Sequence, residues 1–275
     1  MLTVSHLYVY PIKSLGGIEL TSARLTDRGF EHDRRWMLVD EENRFMTQRV
    51  YPQMALLRTA IHANELTVYE KGNETDKISL NLYPAGNEMI KVQVWDDVCD
   101  AMQISDAINQ WFSQKLNSVC KLVYMPDATK RKVNAEYALN DDINGFSDAF
   151  PVLMIGQASL DDLNSRLEKP VPMNRFRPNI VFTGGEAFEE DTMKHFQISG
   201  TDFYAVKPCA RCVTTTTDQE TGITAKEPLK TLAAYRAANN NVYFGQNILY
   251  KKEGVIQVGD ELKVVQTKAS LHLNA

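Results

Sequence analysis

The sequence contains little cysteine, no net positive charge and no long apolar run, and each absence excludes a class of protein. Four cysteines among 275 residues are too few for the disulfide framework of small secreted domains. The net charge of −5 argues against nucleic acid as a partner, since phosphate backbones are bound by basic surfaces. No apolar run approaches the ~20 residues of a membrane-spanning helix, and residues 1–10 lack the basic and then apolar pattern of a signal peptide. We therefore expect a cytoplasmic protein that binds neither nucleic acid nor membrane.

What the sequence does contain is a long series of short segments with strand character. Over roughly the first hundred residues, apolar and polar residues alternate in stretches separated by turn residues, which is typical of a small β-barrel or sandwich. Helical periodicity is confined to three stretches, which begin near Ser105, Ser159 and Pro228. The predicted fold class is mainly β with a few helices, a β-rich α+β protein. A chain of 275 residues is long enough for two domains, and the pattern changes between residues 100 and 125.

The stretch VKPCARCVTTTTD at residues 206–218 carries two of the four cysteines with an arginine between them. A guanidinium stabilises a neighbouring thiolate, and a thiolate is both a nucleophile and a ligand for soft metals. The flanking residues alternate or are β-branched. The pattern therefore predicts that Cys209 and Cys212 lie on a turn between two strands, the second of which includes residues 214–217.

The spacing of this cysteine pair leaves four interpretations open. A structural zinc site normally needs four Cys or His ligands, whereas Cys99 and Cys120 are single and far apart. A thioredoxin-type redox pair normally opens a helix, which the predicted second strand does not provide. The other two interpretations are a single metal-binding thiolate, Cys212, beside a packed neighbour, and a pair of buried structural thiols. Arg211 favours an anion nearby, because a buried charge is costly without one.

Basic and polar residues in two loops are candidates for binding an anion. Lys13 and Ser14 belong to a Gly-rich loop after the first strand, which could hold a phosphate or simply end that strand. Arg34 and Arg35 precede a strand and point to opposite faces, so at most one of them faces a given site. A planar guanidinium suits phosphate oxygens, and the alternative is a surface ion pair with Asp33.

Two further candidates are associated with apolar strands. Residues 177–182 predict a strand with Arg177 and Asn179 on one face, directed either into a site or along a surface edge. Asp148 precedes the apolar strand that begins at Pro151. Its carboxyl group is a candidate for proton transfer or for orienting another group, and the alternative is an ordinary turn residue.

Several motifs occur in one order along the chain: YPIKS at 10–14, DRRW at 33–36, NSRL at 164–167, FRPNIV at 176–181, CARCVTTTTDQETG at 209–222, KEPLKTL at 226–232 and FGQ at 244–246. Together they resemble the MOSC family, named after the C-terminal domain of molybdenum cofactor sulfurase. The likeness is strongest to the amidoxime-reducing components of mitochondria and their bacterial counterparts. The resemblance covers nearly the whole chain. The cysteine motif with its KEPL continuation is highly specific, whereas the Lys-Ser loop alone is not.

The resemblance implies a MOSC N-terminal β-barrel domain over residues 1–118 and a MOSC β-barrel domain over residues 119–270. It implies a molybdenum–molybdopterin cofactor, with Cys212 as the thiolate ligand of the metal and Asp148 close to it. Two positions depart from the family pattern, Ala149 and Ala210, where many relatives carry a hydroxyl group. The family's cofactor contacts fall on Lys13, Ser14, Arg34, Arg177, Asn179 and Cys212.

The activity implied by the resemblance is reduction of small N-hydroxylated compounds such as amidoximes or hydroxylaminopurines, with Asp148 as the candidate for proton delivery. No cysteine follows Cys212 and the PLP-binding half of the sulfurases is absent, so we expect neither an iron–sulfur cluster nor PLP in this chain. Electrons would come from a separate donor protein of the flavin reductase, ferredoxin or cytochrome b5 type. The alternative is a non-catalytic carrier of the molybdenum cofactor or of sulfur.

Overall fold

Strands dominate the structure, a computed structural model that describes residues 1–85 and 88–270. The strands are β1 (Leu2–Val9), β2 (Ile18–Leu20), β3 (Ser22–Thr26), β4 (Gly29–Phe30), β5 (Trp36–Val39), β6 (Leu57–His62), β7 (Glu65–Glu70), β8 (Asn73–Asn81), β9 (Met89–Val94), β10 (Asp97–Gln103), β11 (Lys121–Tyr124), β12 (Arg131–Lys132), β13 (Ile143–Asn144), β14 (Val152–Gly156), β15 (Ile180–Thr183), β16 (Met193–Ile198), β17 (Thr201–Ala210), β18 (Ala237–Ala238), β19 (Asn241–Tyr250), β20 (Gly254–Gln257) and β21 (Glu261–Thr267). The α-helices are α1 (Asp106–Leu116), α2 (Gln157–Ser165) and α3 (Leu229–Tyr235). Short 3-10 helices occupy Pro52–Leu56, Met173–Arg175, Glu189–Asp191 and Val213–Thr216.

Seven strands close into a barrel in the order β14-β15-β1-β21-β16-β17-β19, and β19 returns to pair with β14. Closure removes the unpaired sheet edges that would otherwise invite aggregation. The inward faces pack Val4, Leu7, Phe182, Phe196 and Phe203 into one fully buried cluster. The alternation along β1 is interrupted by a bulge between Val4 and His6, so its buried residues do not follow a strict two-residue period.

Two open sheets, β5-β11-β10-β9 and β6-β7-β8, lie beside the barrel and form half a barrel. They share a second core around Trp36, Met54 and Leu66. Helix α1 packs Phe112 and Leu116 into this core, as its periodicity predicts. The predicted fold class, mainly β with a few helices, is confirmed.

Strand pairing crosses the division predicted at residue 118. Strand β1 lies between β15 and β21, and β3 pairs with β20 through Ala23 and Ile256. Conversely, β11, which follows residue 118, pairs with β5 and β10, which precede it. The boundaries 1–118 and 119–270 stay a prediction, and the closed barrel is built from both ends of the chain.

Three local predictions of the backbone are wrong. Residues 177–182 do not form one strand, since Arg177 has φ 55 and β15 begins only at Ile180. Helix α2 begins at Gln157 rather than Ser159. The hydroxyl of Ser159 bonds Glu190 and the backbone N–H of Phe188, so it is not free to cap a helix.

The residues after the cysteine motif also differ from the prediction. Cys209 lies within β17, and Cys212 follows that strand directly before the 3-10 helix Val213–Thr216. The cysteines therefore do not lie on a turn between two strands. The β-branched run of threonines suggested a strand, but the 3-10 turn is held by hydrogen bonds from the Thr215 and Thr216 hydroxyls to backbone carbonyls three residues earlier.

Within the described part of the chain, no helix has the length and apolar character needed to cross a membrane.

Candidate functional site

One pocket brings together side chains that lie far apart in the sequence. Every site residue predicted from the sequence lines it: Lys13, Ser14, Arg34, Asp148, Arg177, Asn179 and Cys212. The lining also includes three arginines that had not been assigned to the site, Arg49, Arg175 and Arg211. Six basic side chains thus face one acidic side chain in the lining. In a protein with a net charge of −5, this local excess of positive charge suits an anionic ligand.

Cys212 is half-buried in the wall of this pocket. Its Sγ lies 3.3 Å from Thr214 Oγ1. Burial raises the pKa of the thiol, but hydrogen bonds to Thr214 and the charges of Arg49 and Arg211 outweigh burial and lower the pKa overall. The sulfur therefore ionises more readily than an ordinary thiol, and it faces the pocket rather than being sealed in apolar packing.

Arg175 fixes the backbone that carries Cys212. Its buried guanidinium donates to the carbonyls of Thr215 and Thr216, both at 2.9 Å, and to Asp218 Oδ2 at 3.1 Å. These contacts hold the 3-10 turn against the short helix Met173–Arg175. The sequence gives no signal for this role beyond the presence of an arginine in the FRPN region.

Arg211 contacts the other cysteine of the motif. Its Nη1 lies 2.9 Å from Cys209 Sγ, and its Nη2 donates to the carbonyl of Phe176 at 2.6 Å. The guanidinium is thereby fixed between Cys209 and the backbone of Phe176. Cys209 thus has Arg211 as its partner, whereas Cys212 contacts Thr214.

Lys13 and Asp148 form an ion pair in the lining of the same pocket. Lys13 Nζ is buried and donates to Asp148 Oδ1 at 2.6 Å and to the carbonyl of Phe146 at 2.8 Å. Desolvation opposes ionisation of Asp148, but the charge and hydrogen bond of Lys13 outweigh it, with help from Trp95 and Arg49, and hold its pKa well below the usual range. Asp148 is consequently a carboxylate at neutral pH, and the 64% exposure of its side chain favours the same charged state.

A buried arginine sets the position of the segment that carries Asp148. Arg131 donates to the carbonyls of Gly145, Ser147 and Asp148 at 2.7 to 3.0 Å and pairs with Asp97. Three carbonyls and one carboxylate satisfy its guanidinium, so the loop is held as a unit.

Arg34 and Arg177 both lie against the ring of Tyr10, with Cζ to ring-centroid distances of 4.2 and 4.3 Å. Tyr10 in turn requires Gly17, because a Cβ there would lie 2.5 Å from the Tyr10 ring. Gly17 therefore serves the packing of Tyr10 beneath the two guanidinium groups.

Arg177 is the least satisfied of these cations. Burial lowers its pKa to about 10, and its Nη2 is buried without a hydrogen-bond partner among the described residues. A buried donor without an acceptor is costly. An anion in the pocket would supply that acceptor.

Both polar atoms of the Asn179 side chain already have hydrogen-bond partners within the protein. Its Oδ1 accepts from Arg34 Nη1 and from the backbone N–H of Leu153, both at 3.1 Å, and its Nδ2 donates to the carbonyl of Tyr8. The side chain lines the pocket but acts chiefly by orienting Arg34.

The described residues include no group of three or more His, Cys, Asp or Glu side chains arranged to hold a metal ion.

The chain matches the MOSC N-terminal beta barrel domain over residues 1–118 and the MOSC domain over residues 141–263. It is 34% identical to mitochondrial amidoxime reducing component 2 of Rattus norvegicus, over 94% of this chain and 82% of that protein. This chain belongs to the MOSC family. Mitochondrial amidoxime-reducing component 1 of Homo sapiens is 32% identical over 94% of this chain and 81% of that protein. Among solved structures, the YUAD protein of Bacillus subtilis matches 95% of this MOSC protein and 94% of its own chain at a TM-score of 0.44 and 10% identity, too distant to support an argument.

Proposed function

We propose that this protein is a molybdenum-cofactor-dependent reductase of N-hydroxylated compounds such as amidoximes and hydroxylaminopurines. The observation that carries the proposal is a thiol of lowered pKa, Cys212, in a pocket with a large excess of basic side chains. The names of relatives that are about one-third identical over most of their length point to the same activity.

The side chains of the pocket fit a molybdopterin-type cofactor. Cys212 would supply the protein thiolate, which suits a thiophilic metal. The free Nη2 of Arg177, together with Arg34, would meet the anionic phosphate tail, since guanidinium groups pair well with phosphate oxygens. Lys13 and Ser14 line the same pocket and would add further donors.

Reduction of an N–OH group to N–H and water consumes two electrons and two protons. The bound cofactor would supply the electrons, and a separate donor protein would restore them. The low pKa of Asp148 keeps it ionised and makes it a weak base, so the proton of this pair is carried by the Lys13 ammonium beside it. Burial lowers the pKa of Lys13 against the opposing charge of Asp148. We therefore assign proton delivery to the pair, with Asp148 as its solvent-facing member.

Replacement of the proposed metal ligand tests the function. Protein made in a host that synthesises the molybdenum cofactor should contain molybdenum and reduce benzamidoxime with dithionite-reduced methyl viologen as donor. Cys212→Ser should lose most of the metal and at least about a hundredfold in activity, because second-sphere losses alone cost 10–100-fold at metal sites. The matched control is Cys120→Ala, a buried cysteine in the other core, which should retain both.

The outcomes separate the proposal from its alternative. Wild-type protein without molybdenum, or unchanged metal content in Cys212→Ser, would contradict it. Wild-type protein that binds the cofactor stoichiometrically yet reduces no N-hydroxylated substrate would identify a cofactor carrier instead.

A further inference from the structure

One arginine in the pocket lining has no side-chain hydrogen bond or ion pair within the described part of the protein. Arg49 is exposed, lines the pocket and has no ion-pair partner among the described residues. Its guanidinium lies over the indole of Trp95, with Cζ 4.3 Å from the ring centroid. The contact fixes a flat cation at the entrance without neutralising it.

Trp95 is itself held in an unusual position. It occupies the tight turn between β9 and β10 with φ 56 and is 36% exposed. A bulky residue in the left-handed region is a conformational outlier that persists only where its surroundings enforce it. Here its indole Nε1 donates to Asp148 Oδ1 at 3.1 Å, Gln93 Nε2 donates to its carbonyl at 2.8 Å, and the Phe45 ring packs at 4.9 Å.

Arg49, Asp148 and Trp95 differ in whether they line the pocket. Arg49 and Asp148 belong to the lining, whereas Trp95 does not. The indole is bonded to the Asp148 carboxylate through Nε1 and lies beneath the Arg49 guanidinium. Because the indole covers one side of the guanidinium and Arg49 lines the pocket, the side away from the indole is the one available to a ligand.

We propose that Arg49, braced by Trp95, selects flat aromatic N-hydroxylated substrates by stacking their rings on its guanidinium plane. A guanidinium stacks well on aromatic faces and an ammonium does not present such a plane. The positive charge also disfavours protonated substrates, so neutral or anionic rings are preferred over cationic ones. This inference rests on the proposed function, and it assigns Trp95 as a positioning residue that acts through Arg49.

The test compares two amidoximes that differ only in the ring, benzamidoxime and acetamidoxime. Their binding to cofactor-loaded protein is measured by calorimetry, and their KM and kcat are measured with reduced methyl viologen. We expect Arg49→Met to weaken benzamidoxime binding and raise its KM by roughly fivefold to thirtyfold, the range of a partly desolvated stacking contact. Acetamidoxime affinity should change less than about twofold. Because Arg49 also lowers the pKa of Cys212 and of Asp148, any change in kcat should be the same for both compounds.

Conservative variants distinguish stacking from charge. Arg49→Lys keeps the charge and should lose nearly as much benzamidoxime affinity as Arg49→Met. Trp95→Leu should act in the same direction and add little to Arg49→Met in the double variant, and Trp95→Phe should recover part of the loss. Arg44→Met is the matched control, an exposed arginine of the same segment paired with Glu42 and outside the pocket lining, and it should bind like wild type.

The results test the stacking of substrate on Arg49 separately from the proposed reductase activity. Equal losses for the two amidoximes, or wild-type benzamidoxime affinity in Arg49→Lys, would refute stacking even if the enzyme is active. Ring-selective, Arg49-dependent binding in protein that reduces neither compound would uphold the inference and refute the reductase assignment. Absence of benzamidoxime binding to the wild-type protein would overturn the inference.

Discussion

A single half-buried arginine, Arg177, gives the clearest account of what the pocket requires. Its backbone is left-handed, its guanidinium lies against the Tyr10 ring, and its buried Nη2 lacks an acceptor among the described residues. Each of these features costs free energy in the protein alone. An anion bound by Arg177 would offset this free-energy cost.

Replacement of Arg177 by Met should separate binding from stability. We expect cofactor affinity to fall by roughly tenfold to a hundredfold, the worth of a charged hydrogen bond. The melting temperature should stay the same or rise, because an uncompensated buried charge is removed. Cofactor retention is measured by the fluorescence of the released, oxidised pterin, and stability by thermal unfolding.

The control for this prediction is Arg58→Met. Arg58 pairs with Glu220 on the surface and does not line the pocket, so cofactor retention should not change. A large loss of stability in Arg177→Met without loss of cofactor would show that the residue is structural.

At the scale of elements, the start of helix α2 is decided by a buried carboxyl group. Glu190, in the 3-10 helix Glu189–Asp191, accepts from Ser159 Oγ at 2.8 Å and from the backbone N–H of Gly156 at 3.2 Å. It thereby links β14, α2 and its own 3-10 turn. Burial raises the pKa of Glu190 to about 7, and the neighbouring charge of Asp191 adds to the effect.

This raised pKa predicts the direction of a pH dependence. The folded state holds the Glu190 proton more tightly than the unfolded chain, whose glutamate titrates near 4.5. Stability contributed by the protonated group is therefore complete below about pH 4.5 and is lost as pH rises to about 7. The total change is on the order of 3 kcal/mol.

Glu190→Gln should abolish that contribution and make the protein more stable than wild type above pH 7. Urea unfolding between pH 4.5 and 8 measures the slope of the free energy of unfolding against pH. Glu186→Gln, an exposed change in the same segment, should leave the slope unaltered. An unchanged slope in Glu190→Gln would show that other groups control it.

For the whole molecule, the important feature is that the barrel is closed by the first strand of the chain. Strand β1 lies between β15 and β21, and it contributes Val4, Leu7 and Val9 to the main core. Strand β3 adds Leu25 to the same core. The C-terminal part of the chain thus lacks a closed sheet by itself.

Residues 119–270 expressed alone should not fold to a cooperative unit. Loss of β1 exposes two strand edges and opens a core in which truncation of one buried leucine alone costs about 2–5 kcal/mol. Circular dichroism during heating and binding of an apolar dye measure the result. Co-expression with residues 1–118 is the control and should restore a cooperative transition, whereas sharp unfolding of the fragment alone would disprove the prediction.

Much of this molecule was determined by the sequence itself. Strand alternation and the rarity of helical periodicity predict a mainly β protein, and helix α1 follows from the spacing of Phe112 and Leu116. The ordered motifs identify the family and contain six of the predicted site residues that line the pocket, Lys13, Ser14, Arg34, Arg177, Asn179 and Cys212. These are properties of local pattern, which a sequence expresses directly.

Only the tertiary structure decided the rest, because it depends on contacts between segments far apart in the chain. The approach of Glu190 shifts the start of α2, and the placement of Arg177 over Tyr10 takes its backbone out of the predicted strand. Arg49 has no neighbouring signal in the sequence, and it enters the site because the turn at Trp95 supports it. These features depend on the contacts that each residue makes across the fold, which the local sequence pattern does not show.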